Sequence, residues 1–97
     1  MKTRLTPRAL VEAKRIRSWW QKNRSAAADR FDEEMAFALD QIGTTPTLGV
    51  PYTASFGPTI RRVLLPKTEN HVYYTVRDDE IVVLSVWGAP RGRGPRL

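Results

Sequence analysis

Apolar residues recur at spacings of three and four near the start of the chain, which predicts an amphipathic helix. Pro7 suits the first turn of this helix, and Thr6 stands ahead of it as a cap. The helix is expected to run to about Asn23. Its apolar stripe consists of Leu10, Ala13, Ile16 and Trp20. Trp19 and Trp20 are adjacent and cannot both face inward on one helix, so one of the two is expected to be partly exposed.

A second stretch with the same period predicts another helix, which Ser25 caps and Gly43 ends. Its buried face is expected to comprise Ala28, Phe31, Met35, Ala38, Leu39 and Ile42. Only a short turn at 23–25 separates the two helices. They therefore form a helical hairpin over about residues 7–42.

Residues 43–59 show no periodicity and are rich in Pro, Gly and Thr, so a loop is expected there. The pattern then changes to the alternation typical of β-strands. Three antiparallel strands are predicted, at about 60–65, 71–76 and 81–87. The last strand is apolar almost throughout, so we expect it to be central, and 77–80 forms the turn before it. Residues 2–6 allow a further short strand in the same sheet.

These elements predict one α+β domain of 97 residues, with an N-terminal helical hairpin packed on a small antiparallel sheet of three to four strands and a tail at 88–97. The sequence contains no cysteine, which fits a reducing compartment. No stretch approaches the roughly 18 apolar residues that a membrane span requires, and the N-terminus lacks the apolar core of a signal peptide. A cytoplasmic protein without membrane contact is therefore expected.

The net charge of +6 is distributed unevenly along the chain. Residues 1–24 carry eight basic side chains against Glu12, whereas residues 25–42 carry one Arg against five acidic residues. The Gly- and Pro-rich tail adds three arginines, Arg91, Arg93 and Arg96. A basic surface of this kind indicates nucleic acid or an acidic protein as partner. The tail has no obvious means of burying apolar surface, so we expect it to be mobile unless a partner binds it.

Several short motifs follow one another along nearly the whole chain. They are Leu5-Thr6-Pro7-x-Ala9, Ala27-Ala28-x-x-Phe31, Ala38-Leu39-x-x-Ile42, Pro46-x-x-Gly49, Ile60-Arg61-Arg62, Val72-Tyr73-Tyr74-x-Val76 and Ile81-Val82-Val83-Leu84-x-Val86-Trp87. Their ordered combination resembles the RelE/ParE superfamily of toxins, although no single motif is as specific as a metal-binding box.

The resemblance implies the RelE/ParE-like fold and a toxin of a type II toxin–antitoxin system, with a role such as plasmid stabilisation. It also implies a cognate antitoxin, ParD-like or similar, that neutralises the toxin in a hetero-oligomer. ParE-like members of the superfamily bind DNA gyrase and block replication, whereas RelE-like members cleave messenger RNA on the ribosome. Because one fold serves both activities, the choice between them depends on the site residues.

An RNA-cleaving site must deprotonate a 2′-hydroxyl, stabilise the charge that develops at phosphorus and protonate the leaving oxygen. The candidates for these roles are Arg61, Arg62, His71, Tyr73 and Arg91. Arg61 and Arg62 point to opposite faces of a strand, so at most one lies on the open face of the sheet, and the other is available to the acidic second helix. Gly88 stands where many superfamily members have a histidine. This departure favours a ParE-like gyrase inhibitor that acts by binding and has no catalytic residue.

On the ParE-like interpretation the target is expected to contact Trp87, Arg91, Arg93 and Arg96. The antitoxin is expected to contact Trp19, Trp20 and Arg62, and to fold as an acidic, partly disordered segment across the groove between the hairpin and the sheet. A single histidine and no cysteine make no ligand cluster, so neither a metal nor a cofactor is expected.

Overall fold

The computed structural model describes residues 1–52, 57–89 and 94–97. Within these residues a five-stranded sheet is covered on one face by two α-helices, which is an α+β architecture, as predicted. In chain order the elements are β1 (Lys2–Leu5), α1 (Pro7–Asn23), a short 3-10 helix (Ser25–Ala27), α2 (Arg30–Thr44), β2 (Val50–Tyr52), β3 (Ile60–Leu65), β4 (Asn70–Arg77) and β5 (Glu80–Gly88).

The strand order across the sheet is β1-β5-β4-β3-β2, and only the β1–β5 pair is parallel. The prediction of three to four antiparallel strands was therefore wrong in two respects, because the sheet has five strands and one pair is parallel. The strand missed by the pattern is β2, which falls in the predicted loop. It has three residues and contains Pro51, which lacks an N–H and is tolerated at a sheet edge. The central position of β5 is confirmed.

The first helix begins as predicted, because the Thr6 hydroxyl accepts a hydrogen bond from the Ala9 N–H at 3.1 Å. The second helix begins later than predicted. Ser25 does not cap it but starts the 3-10 turn, which the Ala27 N–H closes by donating to the Arg24 carbonyl at 2.8 Å. Helix α2 follows this turn and runs past Gly43 by one residue.

The core lies between the two helices and the face of the sheet that they cover. It consists of Ala9, Ala13, Phe31, Met35, Ala38, Ile42, Leu65, Val72, Tyr74, Ile81, Val83 and Val86. Leu10 was predicted to face inward but is 46% exposed, because Ala9 occupies the inward position one residue earlier. Trp20 packs against the core and Trp19 is half exposed, so only one of this pair turns inward, as expected. Neither helix has the length and apolar composition that crossing a bilayer requires, within the residues described.

Candidate functional site

The face of the sheet that the helices leave uncovered, termed the open face, collects most of the candidate residues. Arg62 on β3 lies opposite Tyr73 on β4, and His71 on β4 lies opposite Trp87 on β5. Directly opposite residues in a sheet point to the same side, and residues two apart on a strand share a face. The fold therefore brings Arg62, His71 and Tyr73 together, with Trp87 beside them.

A tyrosine that the sequence pattern did not single out lies at the centre of this cluster. The ring of Tyr52 on β2 meets the ring of Tyr73 edge-on, with 4.7 Å between the ring centroids. The Arg62 guanidinium lies 5.8 Å from the centroid of the Tyr52 ring. On the other side of Tyr73, the ring of His71 lies 6.0 Å from it. The sequence pattern did not predict Tyr52 because it lies in a Pro- and Gly-rich stretch. A strand of three residues there is too short to show the alternation typical of a β-strand.

The protonation of His71 is set by its surroundings. Burial lowers the pKa of the imidazole, and the positive charge of Arg62 lowers it further. The neutral ring is thus favoured, and a neutral ring can accept a proton. The second candidate for proton transfer, Tyr73, is only 1% exposed, so little of its side chain is open to a substrate on the open face.

The end of the chain forms part of the open face. Residues 94–97, termed the strap, are held by hydrogen bonds to side chains far away in the sequence. Pro95 is buried, which corrects the expectation of a tail unable to bury apolar surface. Arg96 is exposed at this position, whereas Arg91 and Arg93 lie outside the described residues.

Arg61 points away from the open face and has a structural role. Its guanidinium donates to the Gly49 carbonyl at 2.8 Å and to the Thr47 carbonyl at 3.4 Å, which fixes the loop before β2. In the part of the chain that the structure describes, neither Arg61 nor Arg62 forms an ion pair with α2.

The acidic residues of α2 have other partners. Asp32 pairs with Arg17 of α1 at 2.9 Å, which joins the two helices. Glu34 accepts hydrogen bonds from the backbone N–H groups of Lys67 and Thr68, at 2.7 and 3.0 Å, and so fixes α2 to the turn between β3 and β4.

A groove of about 730 Å³ runs between α2 and the end of β3. Its apolar lining includes Phe37, Ala38, Leu48, Val63, Leu64 and Pro66. Phe37 is 68% exposed and Leu64 48% exposed, and an apolar surface of this kind is typical of a partner-binding site. Among the described residues β2 pairs only with residues 60–62, so the rest of the outer edge of β3 has no strand partner beside the groove. The sequence offered one signal for this site, since Phe37 is a large apolar residue outside the buried period of α2.

The tryptophans predicted to bind an antitoxin lie elsewhere on the molecule. The rings of Trp19 and Trp20 meet edge-on with centroids 5.5 Å apart, and the Arg24 guanidinium lies 5.8 Å from the Trp19 ring centroid. Trp19, Trp20 and Arg62 do not line the groove. No group of three His, Asp or Glu residues within the described ranges is arranged to hold a metal ion.

Comparison with known proteins identifies a family and a fold. A family model described as "ParE toxin of type II toxin-antitoxin system, parDE" matches residues 3–91. No curated protein sequence matches the chain significantly.

Three solved structures are similar in fold. A chain of the chromosomal ParDE toxin–antitoxin system from P. aeruginosa has a TM-score of 0.73 and 13% identity, with 91% of this chain and 95% of that chain covered. The YoeB dimer from Staphylococcus aureus gives a TM-score of 0.58 and 19% identity, with 90% and 94% covered. The heterotetrameric YoeB–YefM toxin–antitoxin complex from the same organism gives 0.52 and 22%, again with 90% and 94% covered. At these identities the likeness concerns the fold alone.

Proposed function

The chain belongs to the ParE toxin family of type II toxin–antitoxin systems, and from this we propose that it inhibits DNA gyrase by binding it and is neutralised by a cognate antitoxin. The toxin itself performs no chemical step in this proposal. Its role requires access to the chromosome, so we also propose a cytoplasmic location.

The burial of Tyr73 is the observation that carries the choice of a binder over a nuclease. An RNA-cleaving site needs one group to take a proton and another to give one. On the open face as described, His71 is half-buried and Tyr73 is 1% exposed beneath the ring of Tyr52. A guanidinium group cannot be deprotonated in proteins, so an arginine fills neither role. Of the residues predicted to transfer protons, His71 is the one within reach among those described, and the Tyr52 hydroxyl nearby is engaged by the Pro95 carbonyl. This favours binding.

The surface available to a target combines positive charge with aromatic rings. Arg96 is exposed on the strap, and Arg62 and Trp87 are half-buried on the open face of the sheet. Arg91 and Arg93 join this strap to β5 in the sequence and add two positive charges. Such a surface complements an acidic region of a target protein, where charged groups guide encounter and aromatic anchors hold the complex.

We place the antitoxin on the groove between α2 and β3. An antitoxin segment would lay apolar side chains against Phe37, Leu48 and Leu64 and would pair its backbone with the part of β3 that has no strand partner among the described residues. The chromosomal ParDE system and the YoeB–YefM complex, both similar in fold, are toxin–antitoxin systems by their descriptions. Contacts with Trp19, Trp20 and Arg62 would extend the interface beyond the groove.

A ribosome-dependent mRNA endoribonuclease is the second candidate. It is favoured by one observation, the grouping of Arg62, His71 and Tyr73 on the same face. For this activity the Tyr52 ring would have to move, because it packs edge-on against Tyr73.

The experiment that separates the two candidates is a supercoiling assay with purified gyrase and toxin released from its antitoxin. We expect inhibition that the antitoxin reverses, that deletion of residues 91–97 abolishes and that His71→Ala leaves intact. Unaffected gyrase, together with cleavage of messenger RNA in a translation extract, would contradict the proposal and support the nuclease.

A further inference from the structure

Two hydrogen bonds hold consecutive carbonyls of the strap from two different elements. The Tyr52 hydroxyl donates to the Pro95 carbonyl at 3.0 Å. The Arg8 guanidinium donates through Nη1 to the Arg96 carbonyl at 2.7 Å. Tyr52 belongs to β2 at one edge of the sheet, and Arg8 belongs to the first turn of α1, which follows β1 at the other edge. The strap is therefore tied to both sides of the sheet.

Gly94 lets the strap lie against the ring of Tyr52. A Cβ atom at this position would stand 2.8 Å from Cζ and 2.9 Å from Cε1 of that ring, closer than real Cβ atoms approach other atoms. Any other residue would force the strap and the ring apart. Glycine is thus favoured here by close approach.

Arg8 is itself oriented by Glu12, one turn further along α1. One carboxylate oxygen of Glu12 lies 3.5 Å from Nε of Arg8. The other accepts hydrogen bonds from the Ser85 hydroxyl at 2.8 Å and from the Val86 N–H at 3.2 Å. Glu12 therefore links the strap, through Arg8, to the part of β5 that extends beyond its pairing with β1.

We propose that Tyr52, Gly94 and Arg8 are positioning residues for the target-binding tail. They fix the strap across the open face, so that Arg96 is presented in one conformation. A segment that is already ordered loses less conformational entropy when it binds, and its affinity is higher for that reason. The contacts of Tyr52, Gly94 and Arg8 with the strap are termed the clamp. The inference rests on the proposed function only for the identity of the target, because the clamp is a property of the toxin itself.

The first measurement follows the detachment of the strap in the toxin alone, without any target. Carboxypeptidase must draw the last residues of the chain into its own active site, so we expect it to release Arg96 only after the strap detaches, and mass spectrometry gives the rate. We expect Tyr52→Phe and Arg8→Gln each to speed the release about fivefold, the effect of losing one ordinary hydrogen bond, and Gly94→Ala to speed it at least as much. Arg8→Lys should retain slow release, because lysine can still donate to the Arg96 carbonyl. Arg15→Gln, an exposed position on the same helix, is the matched control and should not change the rate.

The second measurement tests whether the clamp matters for toxicity. The same variants are expressed without antitoxin, and growth arrest is recorded beside gyrase inhibition by the purified proteins. We expect Tyr52→Phe and Gly94→Ala to weaken toxicity about fivefold while antitoxin binding stays unchanged and the thermal unfolding midpoint falls by no more than the few degrees that one lost hydrogen bond causes. A general folding defect would instead lower the midpoint further and weaken antitoxin binding as well.

The possible outcomes are distinct. Unchanged release rates in Tyr52→Phe and Gly94→Ala would overturn the clamp, and faster release with full toxicity would overturn its role in target binding. Toxicity that follows the release rate while gyrase is unaffected would support the clamp and reject gyrase as the target.

Discussion

The phenol oxygen of Tyr74 accepts a hydrogen bond from the Gly49 N–H at 2.9 Å, and so joins the middle of β4 to the loop ahead of β2. The same hydroxyl donates to the Pro46 carbonyl at 2.8 Å. Tyr74 is fully buried, so both partners depend on this one oxygen in place of water. The loop that it fixes leads directly into β2, and β2 places Tyr52 over Tyr73 on the open face.

Tyr74→Phe is expected to lower the free energy of unfolding by about 1–3 kcal/mol, because the buried Gly49 N–H and Pro46 carbonyl would lose their partner. Chemical denaturation of the isolated toxin measures the change. Tyr73→Phe is the matched control, since within the described part of the chain the Tyr73 hydroxyl makes no hydrogen bond. Equal losses in the two variants would contradict this role of the Tyr74 hydroxyl.

Gly49→Ala is expected to destabilise the fold by about 1–3 kcal/mol through overpacking. The added Cβ would stand 2.9 Å from the Arg62 carbonyl oxygen and 2.9 Å from the Tyr74 hydroxyl, so β2 would have to shift. Gly43→Ala is the control, because its nearest new neighbour, the Met1 carbonyl oxygen, is 3.4 Å away. In the last turn of α2 that change should be neutral or should stabilise by up to about 1 kcal/mol. Thermal unfolding of both variants tests the contrast, which similar midpoints would refute.

Glu12→Ala is expected to destabilise the toxin by about 1–3 kcal/mol, since the buried Ser85 hydroxyl and the Val86 N–H would lose their acceptor. Glu12→Gln should cost less, because an amide oxygen can still accept. Glu33→Ala, at an exposed position of α2, serves as the control in the same denaturation experiment. A loss no larger for Glu12→Ala than for Glu33→Ala would show that the carboxylate does not support β5.

The pH dependence follows from His71, whose pKa lies below its ordinary value of 6.5 because of burial and the charge of Arg62. The unfolded chain therefore binds a proton at a pH where the folded chain does not. The stability that His71 contributes is present above pH 6.5 and is lost as the pH falls through the lower pKa of the folded state.

Arg62→Gln should raise the pKa of His71 toward its ordinary value, whereas Arg61→Gln should leave it unchanged because Arg61 points to the other face. His71 is the only histidine, so one ring signal in an NMR titration reports the pKa without assignment. An equal shift of the His71 pKa in the two variants would contradict the assignment of Arg61 and Arg62 to opposite faces of the sheet.

The sequence pattern was sufficient to predict those elements whose position depends on neighbouring residues alone. The Thr6–Pro7 pair marked the start of α1, and the apolar run at 81–87 marked the central strand. The turn before that strand was also recognisable, and Asp78 and Asp79 adopt positive φ angles of 50° and 60° there, which such short polar residues tolerate.

The open face was only partly predictable, because long-range contacts build it. Alternation on β4 was enough to expect His71 and Tyr73 on the same side, but it did not decide which of Arg61 and Arg62 joins them. By contrast, the bonds from Tyr52 to Pro95 and from Arg8 to Arg96 join residues 43 and 88 positions apart, and no local period encodes them. The groove beside Phe37 depends likewise on where β2 ends.

The most direct test of the central claim is equilibrium binding of purified gyrase to the toxin after release from its antitoxin. A variant in which Arg91, Arg93 and Arg96 are all replaced by Ala keeps Gly94 and Pro95, so the strap is retained and only the tail charge is lost. We predict that the wild-type toxin binds gyrase and that this variant binds about tenfold more weakly or worse, with unchanged thermal stability. Absence of gyrase binding by the wild-type toxin, while messenger RNA is cut in a translation extract, would contradict the account and assign the open face to RNA cleavage.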